Sequence, residues 1–124
     1  MDLVLLALAG ALGALSRYGV YRWIPSQDGA MPWATVAVNC AGSFLFGAIV
    51  VLAAERGLLT ERARLILLTG FLGAFTTFST FAFETAELLR AGEWLRALGN
   101  AALQNLGAVG CVFLGALLAR ALAA

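Results

Sequence analysis

Residues 73–84 read GAFTTFSTFAFE and lie within an apolar segment, 63–85, that is long enough to cross a bilayer. Hydroxyl side chains alternate there with phenylalanine rings, and hydroxyls at membrane depth need hydrogen-bond partners. The hydroxyls belong to Thr76, Thr77, Ser79 and Thr80, and the rings to Phe75, Phe78, Phe81 and Phe83. Polar groups clustered inside a membrane are functional candidates. We therefore expect this segment to carry the function of the protein.

The same segment combines a helical length with residues that form helices poorly. Gly70 and Gly73 precede a run of threonine, serine and phenylalanine, all of which have lower helix propensity than alanine or leucine. The pattern predicts a local break in the helix near the middle of the span.

The composition is that of an integral membrane protein. Of the 124 residues, 62% are hydrophobic and 12% are charged, and the charged share is about half of the roughly 25% usual in soluble domains. Mean hydropathy is +0.92. Because the net charge is +1 and no basic tract exists, a nucleic-acid partner is not expected. We expect a multi-pass protein of the cell (inner) membrane, surrounded by lipid bilayer.

The sequence lacks the residues that an enzyme or a primary pump would need. It contains no histidine, no GxxxxGK[ST] phosphate loop, and no convincing nucleophile–base pair or metal-ligand cluster. Proton-coupled transport usually requires an acid or histidine at mid-membrane, whereas the acids of the spans lie at their ends. These acids are Asp2, Glu55, Glu84 and Glu87. Cys40 and Cys111 lie in apolar segments, where small buried hydrophobes are expected rather than a disulfide or metal site.

Hydropathy predicts four membrane spans, at about 3–23, 33–54, 63–85 and 95–122, which use nearly the whole chain. The predicted fold is therefore all-α, a single four-helix membrane domain over 1–124 with its third helix broken. The first apolar run is too long for a signal-peptide core and has no preceding basic region. Pro25, Asp28, Gly29 and Pro32 mark the loop between the first two spans.

Spans two and four carry uncharged polar side chains. Thr35, Asn39 and Ser43 are spaced by four residues, which places them on one face of span two. Asn100 and Gln104 share a face of span four by the same spacing. Together with the hydroxyls of span three, these amides and hydroxyls can replace the water around a small ion.

The arginines are divided evenly between the two sides of the membrane. With four spans, one side holds both termini together with Arg56, Arg62, Arg64 and Arg120, and the other holds Arg17, Arg22, Arg90 and Arg96. The positive-inside rule then favours neither orientation. Either a feature outside the arginine count, such as a partner, sets the orientation, or the protein inserts both ways and pairs antiparallel. We favour dual insertion, because four short helices enclose little space for a transport path.

The aromatic residues of span three favour an anion as the ion. A phenylalanine ring has a positive edge, and Phe78 and Phe81, at i and i+3, can direct both edges into one narrow path. The alternative is that these rings only pack helices, which is the commoner role of phenylalanine in a membrane. Arg17 lies deep enough to attract an anion at a vestibule, or it is an interfacial arginine whose charged end reaches the headgroups.

At these residues the chain resembles the Fluc-type fluoride channels, a family also called fluoride exporters or camphor-resistance proteins. The resemblance covers nearly the whole chain and is weakest in span four. Its motifs are GALSRY at 13–18, TVAVNCAGS at 35–43, and GFLGAFTTFSTF at 70–81 followed by Glu84. The TTFSTF core is the most specific of these motifs.

The resemblance implies an antiparallel, dual-topology homodimer with two fluoride pores along the subunit interface. It also implies a structural Na⁺ ion at the dimer centre, held by the backbone carbonyls of Gly73 and Thr76 of each subunit. The pore residues would be Phe78, Phe81 and Asn39, with Ser79 and Thr80 beside the rings and Thr77 and Ser43 as further donors. Arg17 and Glu84 would lie at the vestibules. Asn100, Gln104 and Ala108 would occupy the positions of a hydroxyl track found in many relatives, or Cys111 would set a different register there.

We therefore interpret the sequence as a fluoride-selective channel that lets F⁻ leave the cytoplasm by electrodiffusion. One alternative is a small dual-topology multidrug or cation exporter, which usually depends on a buried glutamate in its first span. Residues 3–16 contain no acid, which argues against that alternative. Another alternative is a membrane subunit without transport activity, in which the hydroxyls and rings only pack helices.

Overall fold

The computed structural model describes residues 2–25 and 30–122, and the regular elements in these ranges are helical. Four helical segments are long and apolar enough to cross a membrane, as predicted; they are Asp2–Trp23, Trp33–Glu55, Glu61–Arg90 and Trp94–Leu122. We call the first, second and fourth α1, α2 and α5. The third is interrupted, so its halves are α3, from Glu61 to Phe75, and α4, Phe78–Arg90. Of the predicted first loop, Asp28 and Gly29 lie outside the described residues.

Helix α4 continues five residues past the predicted end at Thr85 and stops at Arg90. Gly92 ends it, with a positive φ of 77°. Its N–H donates to Leu89 O at 3.1 Å and that of Glu93 donates to Leu88 O at 2.8 Å, the paired bonds of a Schellman motif. The helix outlasts the apolar stretch on which the predicted span rested, because the glycine that terminates the helix lies further on.

Glycines let the helices pack in two close pairs. A Cβ on Gly13 of α1 would overlap the backbone of Phe71 in α3. In the second pair, a Cβ on Gly47 of α2 would overlap the backbone of Val112 in α5, and one on Gly115 of α5 would overlap that of Phe44. Without a hydrophobic driving force inside lipid, such close backbone approach is what holds membrane helices together.

The buried core lies where these pairs meet, beside the interruption of the third segment. Val38 of α2 packs there with Leu72 and Phe75 of α3, surrounded by partly buried apolar side chains. The break is therefore flanked by a rigid, well-packed wall, which keeps the backbone around it in one geometry.

Ion pairs join the ends of the helices on one side of the molecule. Arg62 Nε, at the start of α3, lies 2.6 Å from Asp2 Oδ1. Arg120 donates to both carboxylate oxygens of Glu55, at 2.8 and 2.5 Å. The start of α1, the α2–α3 turn and the end of α5 thus share one face of the membrane domain, as four crossings require.

Candidate functional site

The predicted helix break is present and spans two residues. Helix α3 ends at Phe75, and Thr76 (φ −79°, ψ 158°) and Thr77 (φ −151°, ψ 110°) are extended before α4 begins at Phe78. A break of this kind removes the helical partners of the last carbonyls of α3 and the first N–H groups of α4. It creates polar backbone at membrane depth, which is tolerated only inside protein or along a polar cavity.

Asn39 of α2 supplies part of the hydrogen bonding that the break removes. Its Oδ1 accepts from the Thr77 N–H at 2.8 Å, and its Nδ2 donates to Thr77 O at 3.0 Å. Thr77 in turn caps α4, since its Oγ1 accepts from the Thr80 N–H at 3.2 Å. Gly42, one turn along α2, leaves room for Thr76, because a Cβ there would overlap the Thr76 methyl.

Arg17 of α1 reaches the same break from the other side. Its Nη1 donates to Thr76 O at 3.3 Å, and the side chain is half-buried. A cation is favoured there because the carbonyl end of a helix carries partial negative charge. The structure thus places Arg17 against the break rather than at the outer surface with the other arginines of its side.

Asn100 and Gln104 form a buried chain of amides that links three helices. Asn39 Nδ2 donates to Gln104 Oε1 at 2.7 Å, and Gln104 Nε2 donates to Asn100 Oδ1 at 3.3 Å. Asn100, with none of its surface exposed, donates to Thr85 Oγ1 at 2.9 Å, and Thr85 donates to Phe81 O at 2.8 Å. We call this chain of hydrogen bonds the amide relay. It connects the break to the helix turn that carries Phe81.

A cleft of ≈ 270 Å³ opens beside the break. Phe78 and Phe81 form one part of its wall, with ring centroids 5.3 Å apart and planes at 62°, so that one ring presents its edge to the other. Phe78 is 75% exposed and Phe81 is 9% exposed. The polar members of the lining are Asn39, Ser43, Thr76, Gln104 and Asn105, and Gly73 and Ala108 also line it.

The remaining hydroxyls of the segment form a small cluster at the first turn of α4. Thr77 Oγ1 donates to Thr80 Oγ1 at 2.9 Å and lies 3.3 Å from Ser79 Oγ. Thr77 is buried, Thr80 is half-buried and Ser79 is exposed. The structure places this cluster next to the cleft lining rather than within it.

Glu84 forms a separate polar group about one turn beyond Thr80 in α4. Its Oε1 accepts from Thr35 Oγ1 at 2.7 Å. Thr35 also bonds to the Tyr21 hydroxyl at 3.0 Å. Because the Thr35 proton points to Glu84, Tyr21 is the donor in the bond between Tyr21 and Thr35. Glu84 Oε2 is buried and has no hydrogen-bond partner among the described residues. Thr35 and Tyr21 were not predicted as site residues, although the four-residue spacing of Thr35 from Asn39 was a signal for Thr35.

The cleft is lined by neutral polar side chains and by the two phenylalanine rings. None of the described residues that line the cleft is charged. Asn105, which was not predicted as a site residue, lies on the cleft, and its Nδ2 donates to Ala101 O at 2.8 Å. In the described ranges no three His, Cys, Asp or Glu side chains come together as metal ligands.

Comparison with known proteins identifies close relatives. The model of the family described as "CrcB-like protein, Camphor Resistance (CrcB)" matches residues 4–116. A fluoride-specific ion channel FluC of Nitrosococcus oceani is 54% identical over 111 residues, which cover 89% of each chain. The fluoride-specific ion channel FluC of Thermus thermophilus is 49% identical, over 94% of this chain and 86% of the relative. That of Roseiflexus sp. is 43% identical, over 98% and 99%.

Proposed function

Because this chain belongs to the CrcB-like, camphor-resistance family, we propose that it is a fluoride-selective ion channel in the membrane. It conducts F⁻ by electrodiffusion, and so lets the ion leave the cytoplasm across the inner membrane. Relatives spanning most of the chain carry the name of fluoride-specific channels, so the exporter and the non-transporting subunit are set aside. It is a channel and not an enzyme.

The observation that carries this proposal is the uncharged, aromatic cleft beside the helix break. Fluoride is small and holds its water tightly, so a pathway must replace that water with strong donors. Amides, hydroxyls and the positive edges of Phe78 and Phe81 can do so without a fixed cation that would trap the ion. Chloride, which is larger, fits this donor spacing less well.

The path in this proposal follows the wall of the cleft. Asn39 and Ser43 lie on the α2 side, and Phe78 and Phe81 on the α4 side, with Thr77, Ser79 and Thr80 beside the rings. Asn100 and Gln104 orient Asn39 through the amide relay. We assign Arg17, which bonds to Thr76 O at the break, and Glu84, which accepts from Thr35, to the vestibules at the two ends of this path, where Arg17 attracts the anion.

The exposed side of the cleft supports a homodimer. Phe78, Gly73 and Ser79 are exposed at membrane depth, where open backbone and hydroxyl groups would face lipid unless another chain covers them. The balanced arginines fit a second copy inserted upside down. An antiparallel pair would turn one cleft into two symmetry-related fluoride paths.

A structural Na⁺ at the centre of this dimer is compatible with the break, and Gly73 fits it better than Thr76. In a continuous helix the Thr77 N–H would donate to Gly73 O, but here it donates to Asn39 Oδ1. Thr76 O already accepts from Arg17. Unwound carbonyls are the ligands that Na⁺ takes in broken membrane helices. Two copies of Gly73 O and Thr76 O would hold the ion and join the two chains.

Replacing Na⁺ by a bulky organic cation is expected to lower the thermal unfolding midpoint of the purified dimer, because the carbonyls that meet at its centre would repel each other. An unfolding midpoint that stays the same in the two buffers would argue against the sodium site.

Flux from liposomes tests the function directly. The purified protein is reconstituted with internal fluoride or chloride, and release is followed with ion-selective electrodes after the membrane potential is clamped to zero. We expect fast F⁻ release and negligible Cl⁻ release, with protein-free liposomes as the baseline. If monodisperse protein that is folded, as judged by its thermal unfolding, releases no F⁻, the proposal is contradicted.

A further inference from the structure

Cys40 of α2 and Cys111 of α5 meet inside the membrane domain. Both thiols are free and half-buried. Cys40 and Cys111 each lie one turn before a pair of residues, Phe44 and Gly115, at which the backbones of α2 and α5 touch, so the two side chains lie near each other. The sequence predicted small apolar residues at both positions, and the close packing of α2 on α5 brings the two side chains near each other.

Contacts one turn away on either side hold this pair in place. Gly107, one turn before Cys111, lies so close to α2 that a Cβ on it would be 3.6 Å from Cys40 Sγ. Gly115, one turn after Cys111, packs on the backbone of Phe44, one turn after Cys40. Gly115 on Phe44 and Gly47 on Val112 hold the backbones of α5 and α2 in contact beside the pair, so the two helices cannot separate there without losing that packing.

The pair offers two soft ligands and no third. No group of three or more His, Cys, Asp or Glu side chains forms in the part of the chain that the structure describes. Zn²⁺ usually requires four ligands, so a two-thiol site suits soft ions that accept linear coordination. A divalent ion that replaces two thiol protons leaves no net charge, whereas a monovalent one leaves a negative charge that is costly at membrane depth.

We propose that Cys40 and Cys111 form an intramembrane two-thiol site for a soft divalent metal ion, with Hg²⁺ as its probe. On binding, both S–H bonds break, two sulfur–metal bonds form, two protons leave to water, and no electron is transferred. The bridge joins α2 to α5. On α2 it lies next to Asn39, and on α5 it lies one turn after the π-helical stretch Leu103–Gly107, which carries Gln104. An occupied site therefore clamps the two helices between which the amide relay begins.

Titration of the full-length protein in detergent with HgCl₂ tests this site without measuring flux. We expect the ultraviolet thiolate–metal absorption to saturate at one Hg²⁺ per chain and to survive an excess of a monothiol, while a dithiol removes the ion. Zn²⁺ at the same concentration is expected to leave the absorption unchanged. The unfolding midpoint should rise on Hg²⁺ binding, because the ion cross-links two helices.

Single variants separate a bridged site from two independent thiols. Cys40→Ser and Cys111→Ser should each lose the monothiol-resistant Hg²⁺, and Cys40→Ala and Cys111→Ala repeat the test if a serine variant unfolds. Saturation at two Hg²⁺ per chain, or equal resistance to the monothiol in a folded single variant, would overturn the proposal. So would a mass spectrum in which the ion joins two chains instead of lying within one.

Discussion

Asn39 is the side chain that ties the broken helix to the rest of the protein. Its Nδ2 donates to both Thr77 O and Gln104 Oε1, and its Oδ1 accepts from the Thr77 N–H. Both amide hydrogens are therefore engaged within the chain. The sequence suggested Asn39 as a direct donor to the ion, whereas the structure shows that an ion on this wall must compete with Thr77 and Gln104 for that donor.

Gln104→Leu is expected to destabilise the protein through the amide relay. The substitution leaves the buried Asn100 without a donor to its Oδ1 and Asn39 without one acceptor, and each unsatisfied buried group costs about 1–3 kcal/mol. Thermal unfolding in detergent measures the change. Asn105→Leu is the matched control, because that amide is exposed and bonds only within its own helix. Equal midpoints for the two variants would show that the relay contributes nothing.

Phe81→Ile is expected to reduce fluoride flux by about tenfold or more while the protein still folds. Removing one ring edge from the path raises the barrier for the ion, and about 1.4 kcal/mol suffices for a tenfold loss. Liposome efflux is the measurement. Phe83→Ile serves as the control, since Phe83 is exposed and does not line the cleft. If flux through the Phe81 variant matches the wild type, the ring-edge role is wrong.

At the scale of helices, the break is built from groups on three different elements. Thr77 caps α4 from within the segment, whereas Asn39 and Arg17 reach it from α2 and α1. Each satisfies a backbone group that the interruption has released, which removes the main cost of unwound backbone in a membrane. The extended segment Thr76–Thr77 is therefore stabilised by hydrogen bonds from its own side chain and from α1 and α2.

The pair formed by α2 and α5 depends on contact between backbones. Glycine-to-alanine substitutions at two positions of α5 should therefore have different effects on the unfolding midpoint. Gly115→Ala should lower the unfolding midpoint, because its methyl group would overlap the Phe44 backbone. Gly110→Ala meets nothing within 4 Å and should be neutral or stabilising by up to about 1 kcal/mol, the helix propensity that alanine gains over glycine. Equal changes in the two variants would contradict this packing.

At the scale of the whole molecule, one chain leaves its candidate path open on one side. Gly73, Phe78 and Ser79 are all exposed there. Lipid offers no hydrogen bonds to backbone or hydroxyl groups, and an inverted second copy with the same cleft would cover them. The proposed antiparallel dimer is supported by what the monomer leaves uncovered as well as by the arginine distribution.

Cysteine labelling in cells tests whether both orientations occur. In a background with Cys40→Ser and Cys111→Ser, Gln27→Cys introduces one thiol into the loop between α1 and α2. We expect an impermeant reagent to label a part of the protein from outside and the remainder only after the membrane is opened. Leu58→Cys, in the turn after α2, should show the same division. Labelling of either site from one side alone would argue against dual insertion.

The sequence by itself determined the class, the number of spans and the site of the break. These follow from local physical chemistry, because apolar length sets a membrane crossing and the glycine–threonine run weakens a helix wherever it lies. The motif around Phe78 and Phe81 also indicated the family. Hydropathy did not indicate that α4 continues to Arg90, because a Schellman turn depends on one glycine rather than on apolar residues.

Only the tertiary structure decided which polar groups meet. Spacing put Asn39 on one face of span two, but it could not show that this amide bonds to Thr77 and Gln104, which are far apart in the chain. The same holds for Arg17 on Thr76 O and for the close approach of α2 and α5 beside Cys40 and Cys111. The physical reason is that these contacts depend on how closely glycine lets pairs of helices approach and on how each is rotated about its axis. Helical periodicity within one span determines neither.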